Sequence, residues 1–367
     1  MPTAETKPLV LLFEDDPKDG KVVEKAIRAA VSRRFAFHRF ADVRDNSTNG
    51  GAYEDLLFAE LMAPKFKKLQ LIVSDRDLSK SARFPGLSEA VVSKVAARLG
   101  VPICIYAAGQ MDSVIERQRS GGDGRLILDS QDKDAMGRTV AVIAAGFLDV
   151  STKLASREIA SLKRRAQGPA TIMGSILDRP ELADQLSLYA TGDQKMIAEL
   201  MPVSGTGQDP YRKRRLHTVL GYWLYDSVLR FPGILVNEIA AASYLNIAPT
   251  AFAKPKVQAI FSRALYGGPF ADSAKPRWWR DRLDDLIQAA SVLDGKSLAE
   301  GKLGRRLKPC LCSVDAKTRA GFYCVISHKP VSQKNSRGNI SWLPRGADLA
   351  RVRNDLYDEL APWIGLR

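Results

Sequence analysis

The sequence predicts an α/β protein. Its first part is a doubly wound, five-stranded parallel sheet, followed by a mainly α-helical region with a small C-terminal β hairpin. Three observations predict this. Apolar runs at residues 9–13, 35–40, 69–74, 103–107 and 125–128 alternate with stretches of helical spacing, as when strands are covered on both faces by crossover helices. Residues 170–300 carry helical spacing instead. Residues 308–314 and 321–328 alternate like two strands joined across 315–320.

The elements follow in order. Val22, Val23, Ala26, Ile27 and Ala30 place a helix after the first strand, and Ala90, Val91, Val95 and Leu99 place another before the fourth. Asn46 to Gly51, Pro85–Gly86 and Ser120 to Gly124 mark breaks between elements. From residue 133 to 165 the spacing predicts one long helix with Ile143, Phe147, Val150 and Leu154 on a stripe. It reads either as the last helix on the sheet or as a connector that transmits state or dimerises. Further helices are expected over 182–189, 195–200, 211–230, 234–245, 256–265, 278–293 and 347–360. The expected organisation is a sheet domain over 1–132, a connector over 133–168, a helical output domain over 169–300 and an α+β subdomain over 301–367.

The 367 residues are 45% hydrophobic and 26% charged, which excludes collagen-like, disordered and disulfide-scaffold classes. No uninterrupted apolar run has the length of a membrane span, and the expected location is cytoplasmic, with no membrane partner. The formal charge of +14 is uneven: residues 1–150 are nearly neutral, so the excess base falls in 151–367 and suits an anionic partner.

The strongest chemical signal is acidic. Strand residues 9–13 run into Glu14-Asp15-Asp16-Pro17, and residues 71–74 run into Asp75-Arg76-Asp77. With strands one and three adjacent, Glu14, Asp15 and Asp75 converge at the C-terminal rim, where open α/β sheets place their ligand crevice. Three carboxylates so close bind a hard cation, Mg2+ being the natural occupant, or hold protons.

The runs LVLLFEDDP and LIVSDRDLS, with VPICIYAA at 101–108 and GGDGRLI at 121–127, resemble the receiver domain of bacterial two-component response regulators over roughly residues 7–135. The resemblance implies a flavodoxin-like sheet of order 2-1-3-4-5. It implies that Asp75 accepts a phosphoryl group from a histidine kinase, that Glu14 and Asp15 hold Mg2+ together with Asp75, and that the Asp77 main-chain carbonyl completes the ion's shell. The chain departs from the family at two positions: Ala107 stands where a Thr or Ser ends strand four, and Leu128 stands where a Lys ends strand five. The loop after Asp75 has Ser79 in place of a proline, with Lys80 and Arg83 beyond it. Either the domain is phosphorylated and switches by other means, or it keeps the fold as a docking module.

Downstream, the nucleic-acid contact candidates are Arg212, Lys213, Arg214 and Arg215, and Arg277 and Arg280 beside Trp278 and Trp279. The basic first turn at 212–215 opposes its own helix dipole and needs an outside reason or solvation. Residues 238–252 resemble the start of a helix-turn-helix, interrupted at Pro255. Cys310, Cys312, Cys324 and His328 offer a tetrahedral zinc set, but one face of a hairpin also buries cysteines as ordinary core. The sequence reading is a response-regulator-like protein with a histidine kinase or other signalling partner, a basic output that contacts DNA or RNA, and possible dimers through the connector. Competing classes are a protein-interaction adaptor and an output enzyme.

Overall fold

A computed structural model of the chain describes residues 7–16, 18–40, 53–78, 87–106, 125–156, 168–189 and 210–364. It divides into two compact units, residues 1–167 with 195–222, and residues 168–194 with 223–367.

The first unit holds β1 (Leu9–Phe13), α1 (Asp19–Val31), β2 (Ala36–Arg39), α2 (Tyr53–Leu61), β3 (Leu69–Asp75), α3 (Glu89–Leu99), β4 (Ile103–Tyr106), β5 (Leu126–Ile127) and α4 (Lys133–Ala155). The five strands form one sheet of order β2-β1-β3-β4-β5, every pair parallel. This is the flavodoxin-like arrangement. In β1 and β3, Val10, Leu11, Leu12, Leu71, Ile72 and Val73 are fully buried, as expected of central parallel strands with helices on both faces.

The helices settle on the sheet by their apolar stripes. α1 buries Val23, Ala26, Ile27 and Val31 but leaves Val22 exposed. In α3 the buried stripe is Val92, Val95, Ala96 and Leu99, with the expected Val91 partly buried at the edge of the same core. α4 is long and apolar enough to cross a membrane by length and composition; Met136, Val140, Ile143, Phe147, Val150 and Leu154 are buried within the unit. Its described part ends at Ala155 with Ser156 as cap, and the expected extension through 165 lies outside the described residues.

The helix Arg212–Tyr222 also belongs to the first unit and packs against α3 and α4. Gly100, which ends α3 at φ +63, meets it closely: a β carbon there would stand 2.5 Å from the Arg215 backbone nitrogen. The Thr218 hydroxyl donates to the Gly100 carbonyl at 2.7 Å, and the Ile103 N–H donates to the Tyr222 hydroxyl at 2.7 Å.

The second unit is mostly helical with two small sheets. The expected helices over 234–245 and 278–293 each begin as a strand: Leu235–Asn237 pairs antiparallel with Arg277–Trp279 before the chain turns into Glu238–Tyr244 and Arg280–Ala289. The β-branched and aromatic residues at these starts favour the pleat. The expected 315–320 hairpin is reduced to one bridge, Leu311 with Arg319. Phe322–Cys324 instead pairs antiparallel with Pro330–Val331 and parallel with Ala350–Arg353. Residues 350–353 were expected in a helix, but Ala350 and Val352 are buried while Arg351 and Arg353 are more exposed, a two-residue period. The helix follows at Asn354–Ile364.

Gly137 of α4 lies so close to α1 that a β carbon would stand 2.6 Å from the Ala26 carbonyl oxygen. Replacing a mid-helix glycine by alanine ordinarily stabilises by about 1 kcal/mol. Gly137→Ala is expected to do the reverse, lowering stability by about 1–3 kcal/mol through overpacking, as read by urea unfolding of the full chain.

Candidate metal centre

The strand order reverses between β1 and β3, and their C-terminal ends carry the acidic residues. Glu14, Asp15 and Asp75 each place a carboxylate oxygen within 4.8 Å of the others. Among the described residues this is the single group of acidic, histidine or cysteine side chains so assembled. Glu14 is 5% exposed and Asp75 is 7% exposed, so their mutual repulsion is poorly screened by water.

The three consecutive acids after β1 divide their work. Asp16 turns to the start of α1, its Oδ1 accepting from the Lys18 and Asp19 N–H groups at 2.7 and 3.1 Å. Glu14 turns inward: its Oε1 accepts from the Asp16 N–H at 2.8 Å and its Oε2 from the Tyr106 hydroxyl at 2.6 Å. Asp15 is the exception, because both its carboxylate oxygens are buried and neither has a hydrogen-bond partner among the described residues. An orphaned carboxylate beside two more is a poor arrangement without a cation, and oxygen-only donors suit a hard divalent ion such as Mg2+. The residues present fit that group.

Arg39, at the end of β2, holds this loop by its backbone. Its guanidinium donates to the Glu14 carbonyl at 2.9 Å through Nη2, with Nε at 3.2 Å, and to the Asp16 carbonyl at 3.1 Å. Gly20 makes room for it, since a β carbon there would stand 2.5 Å from the guanidinium. Tyr106 lies within the 101–108 motif and Arg39 within the run 35–40, but nothing in the sequence assigned either a role at the site. The available signal was only their position at the ends of strands two and four.

Burial and the neighbouring Glu14 push the Asp75 carboxyl from its ordinary 3.8 up to about 6, with Asp15 adding to the rise and the Asp77 and Arg76 N–H groups opposing it. Asp77 itself is exposed on the turn after β3. Leu128, at the expected lysine position, is buried at 4% exposure just beyond β5. Lys133, the first residue of α4, has its ammonium 5.9 Å from the centre of the Tyr106 ring. Ala107, Ser79, Lys80 and Arg83 lie outside the described residues.

The basic candidates fall on several surfaces. Arg214 donates to the Leu69 carbonyl, and burial holds its guanidinium below the usual range. Arg215 reaches the Arg98 carbonyl at 3.4 Å, in the last turn of α3. For Arg215 the outside reason is therefore the negative end of another helix. Arg212 is half-buried and Lys213 exposed. Arg277 donates to the Leu229 carbonyl at 3.0 Å, and Arg280 grips both Asp348 oxygens at 2.5 and 2.6 Å. Trp278 and Trp279 are 1% and 4% exposed, packed against Phe252 and Tyr266; their rings are core and offer no stacking platform. Glu238–Tyr244 is followed by two four-residue helices, Pro249–Phe252 and Pro255–Gln258, each opened by its proline. Cys310, Cys312 and Cys324 are free and buried, and His328 Nδ1 is hydrogen-bonded with the Tyr323 hydroxyl. No three of these four bring their ligand atoms together.

Sequence reasoning passed over a different basic segment. Lys302, Arg305, Arg306, Lys308, Lys317 and Arg319 are all exposed, and an isolated bridge brings Arg319 back beside Leu311. Its signal was the local run Lys302 to Lys308, diluted by the charge count of the whole C-terminal part.

Compared with known proteins, the chain matches no family model and no curated protein.

In chelator, a carboxyl whose pKa is raised on folding contributes stability that is fully present below 3.8 and is lost as the pH rises through about 6. Asp75→Asn is therefore expected to raise the cation-free melting temperature at about pH 7.5, with the gain shrinking toward about pH 4. Thermal scans of both proteins across that range check it; a gain independent of pH would refute the assignment.

Proposed function

We propose that the first unit is a receiver-type signalling domain in which Glu14, Asp15 and Asp75 hold a divalent cation and Asp75 accepts a phosphoryl group. The observation that carries this reading is the convergence of the three carboxylates at the β1/β3 reversal, with both Asp15 oxygens left without a partner among the described residues. Bound Mg2+ would supply neutralisation of charge on the phosphoryl oxygens. An Asp75 carboxylate oxygen forms its bond to phosphorus as the bond from phosphorus to the donor atom breaks, and the donor atom keeps that electron pair. Glu14, tied by Tyr106 and the Asp16 N–H, stays oriented toward the pocket while this happens. A histidine kinase or a small phosphodonor would serve as donor.

Leu128, buried where a lysine is expected, favours a second reading in which the domain keeps the cation and works as a docking module. Intact mass after incubation with Mg2+ and a small phosphodonor separates the two. The expected result is one added phosphoryl group on the wild type and none on Asp75→Asn. An unmodified wild type would leave only the docking reading.

For the second unit we infer contact with nucleic-acid phosphates through the exposed segment of Lys302, Arg305, Arg306, Lys308, Lys317 and Arg319. Arg280 and Arg277 are engaged by Asp348 and the Leu229 carbonyl and support the reading less. In the full chain, Arg305→Glu with Arg306→Glu is expected to weaken DNA or RNA binding and to reduce the salt slope by about 2. Unchanged affinity and slope would remove this segment from the interface.

A further inference from the structure

The Tyr106 hydroxyl occupies a position that neither a phosphoacceptor nor a cation ligand accounts for. Tyr106 is the last residue of β4 and the register partner of Asp75 on β3. The Arg76 N–H donates to the Tyr106 carbonyl at 2.9 Å, extending that ladder one residue past Asp75. The tyrosine backbone is thus tied to the strand that carries one carboxylate. Its side chain reaches the next strand over and donates to another, Glu14 Oε2, at 2.6 Å. The ring is 1% exposed, so no water competes for the hydroxyl.

Glu14 is consequently fixed at both oxygens, by Tyr106 at Oε2 and by the Asp16 N–H at Oε1, and at its carbonyl by Arg39. Each carboxylate oxygen has two lone-pair sites, so both donors leave Glu14 able to face a cation while holding its rotamer. Asp15, the next residue along, has no such anchor among the described residues.

We propose that Tyr106 is a positioning residue for divalent-cation binding, setting the Glu14 carboxylate so that it meets the ion without reorganising. The inference rests on the reading of the acidic pocket as a cation site, and goes beyond it by assigning the ion's affinity in part to a residue that never touches it. A bound cation draws electron density from Glu14 and weakens its pull on the tyrosine proton. Cation binding therefore has a signature at Tyr106 itself.

The test uses the full chain with Mg2+ and Mn2+ alone, without phosphodonor. Calorimetric titration is expected to show affinity about tenfold weaker in Tyr106→Phe, the range found for partners of metal-ligating groups. Ultraviolet titration of the wild type is expected to give a tyrosine difference spectrum that saturates with cation binding, and Tyr106→Phe is expected to lose it. A purely structural hydroxyl would lower the melting temperature without moving either readout. Should Tyr106→Phe fail to fold, the wild-type difference spectrum and its loss in Asp15→Asn carry the test. Wild-type binding with unchanged affinity in Tyr106→Phe, or with no tyrosine signal, overturns the positioning role alone. Absence of cation binding by the wild type overturns the pocket reading and this inference together.

Discussion

Three carboxylates on one sheet rim are the constraint around which the first unit is arranged. Parallel strands β1 and β3 are neighbours, and the chain leaves them in opposite senses across the sheet. Whatever follows each strand is delivered to the same crevice. Here that is Glu14 and Asp15 from one strand and Asp75 from the other. Like charges in a dry site cannot simply coexist, and the surrounding elements are legible as the compensation.

The compensation is unequal, and the inequality is informative. Glu14 takes a backbone N–H and a tyrosine hydroxyl. Asp75 has backbone N–H groups facing it, yet remains high in pKa because burial and Glu14 outweigh them. Asp15 takes no hydrogen bond from the described residues. Arg39 lies close by but donates to backbone carbonyls, so it shapes the loop without forming a hydrogen bond to any of the three carboxylates. Among the described residues, a site built this way is shaped in advance and still short of positive charge.

The basic residues follow the same logic of local need. Arg214 and Arg215 open a helix, where positive charge is unfavourable, but donate to carbonyls of β3 and of the α3 C-terminus, where it is favourable. Arg280 is committed to Asp348, with Arg345 left out of a pairing that its proximity in sequence to Asp348 suggests. Net charge says that a region is basic. Only the hydrogen-bond pattern separates cations that hold the fold from those left facing solvent, such as Arg305 and Arg306.

Much of the first unit was legible before any coordinates, because a buried parallel strand must be nearly all apolar and its crossover helix must be striped. Leu9–Phe13 and Leu69–Asp75 satisfy the first condition, and Asp19–Val31 the second. The acids were legible for a related reason: a carboxylate abutting such a strand has no option but the rim. The rest depended on partners far apart in sequence. Strands as short as Leu235–Asn237 and Arg277–Trp279 exist because each completes the other, and nothing within either segment records that. Tyr106 and Arg39 read as ordinary strand-end residues until register sets one beside Asp75 and the other beneath the Glu14 carbonyl. Sequence alone determined which strands must be buried and which rim must take the acids; tertiary structure decided which donors reach those acids and which cations face solvent, since hydrogen bonding acts over about 3 Å between segments that the chain visits many residues apart.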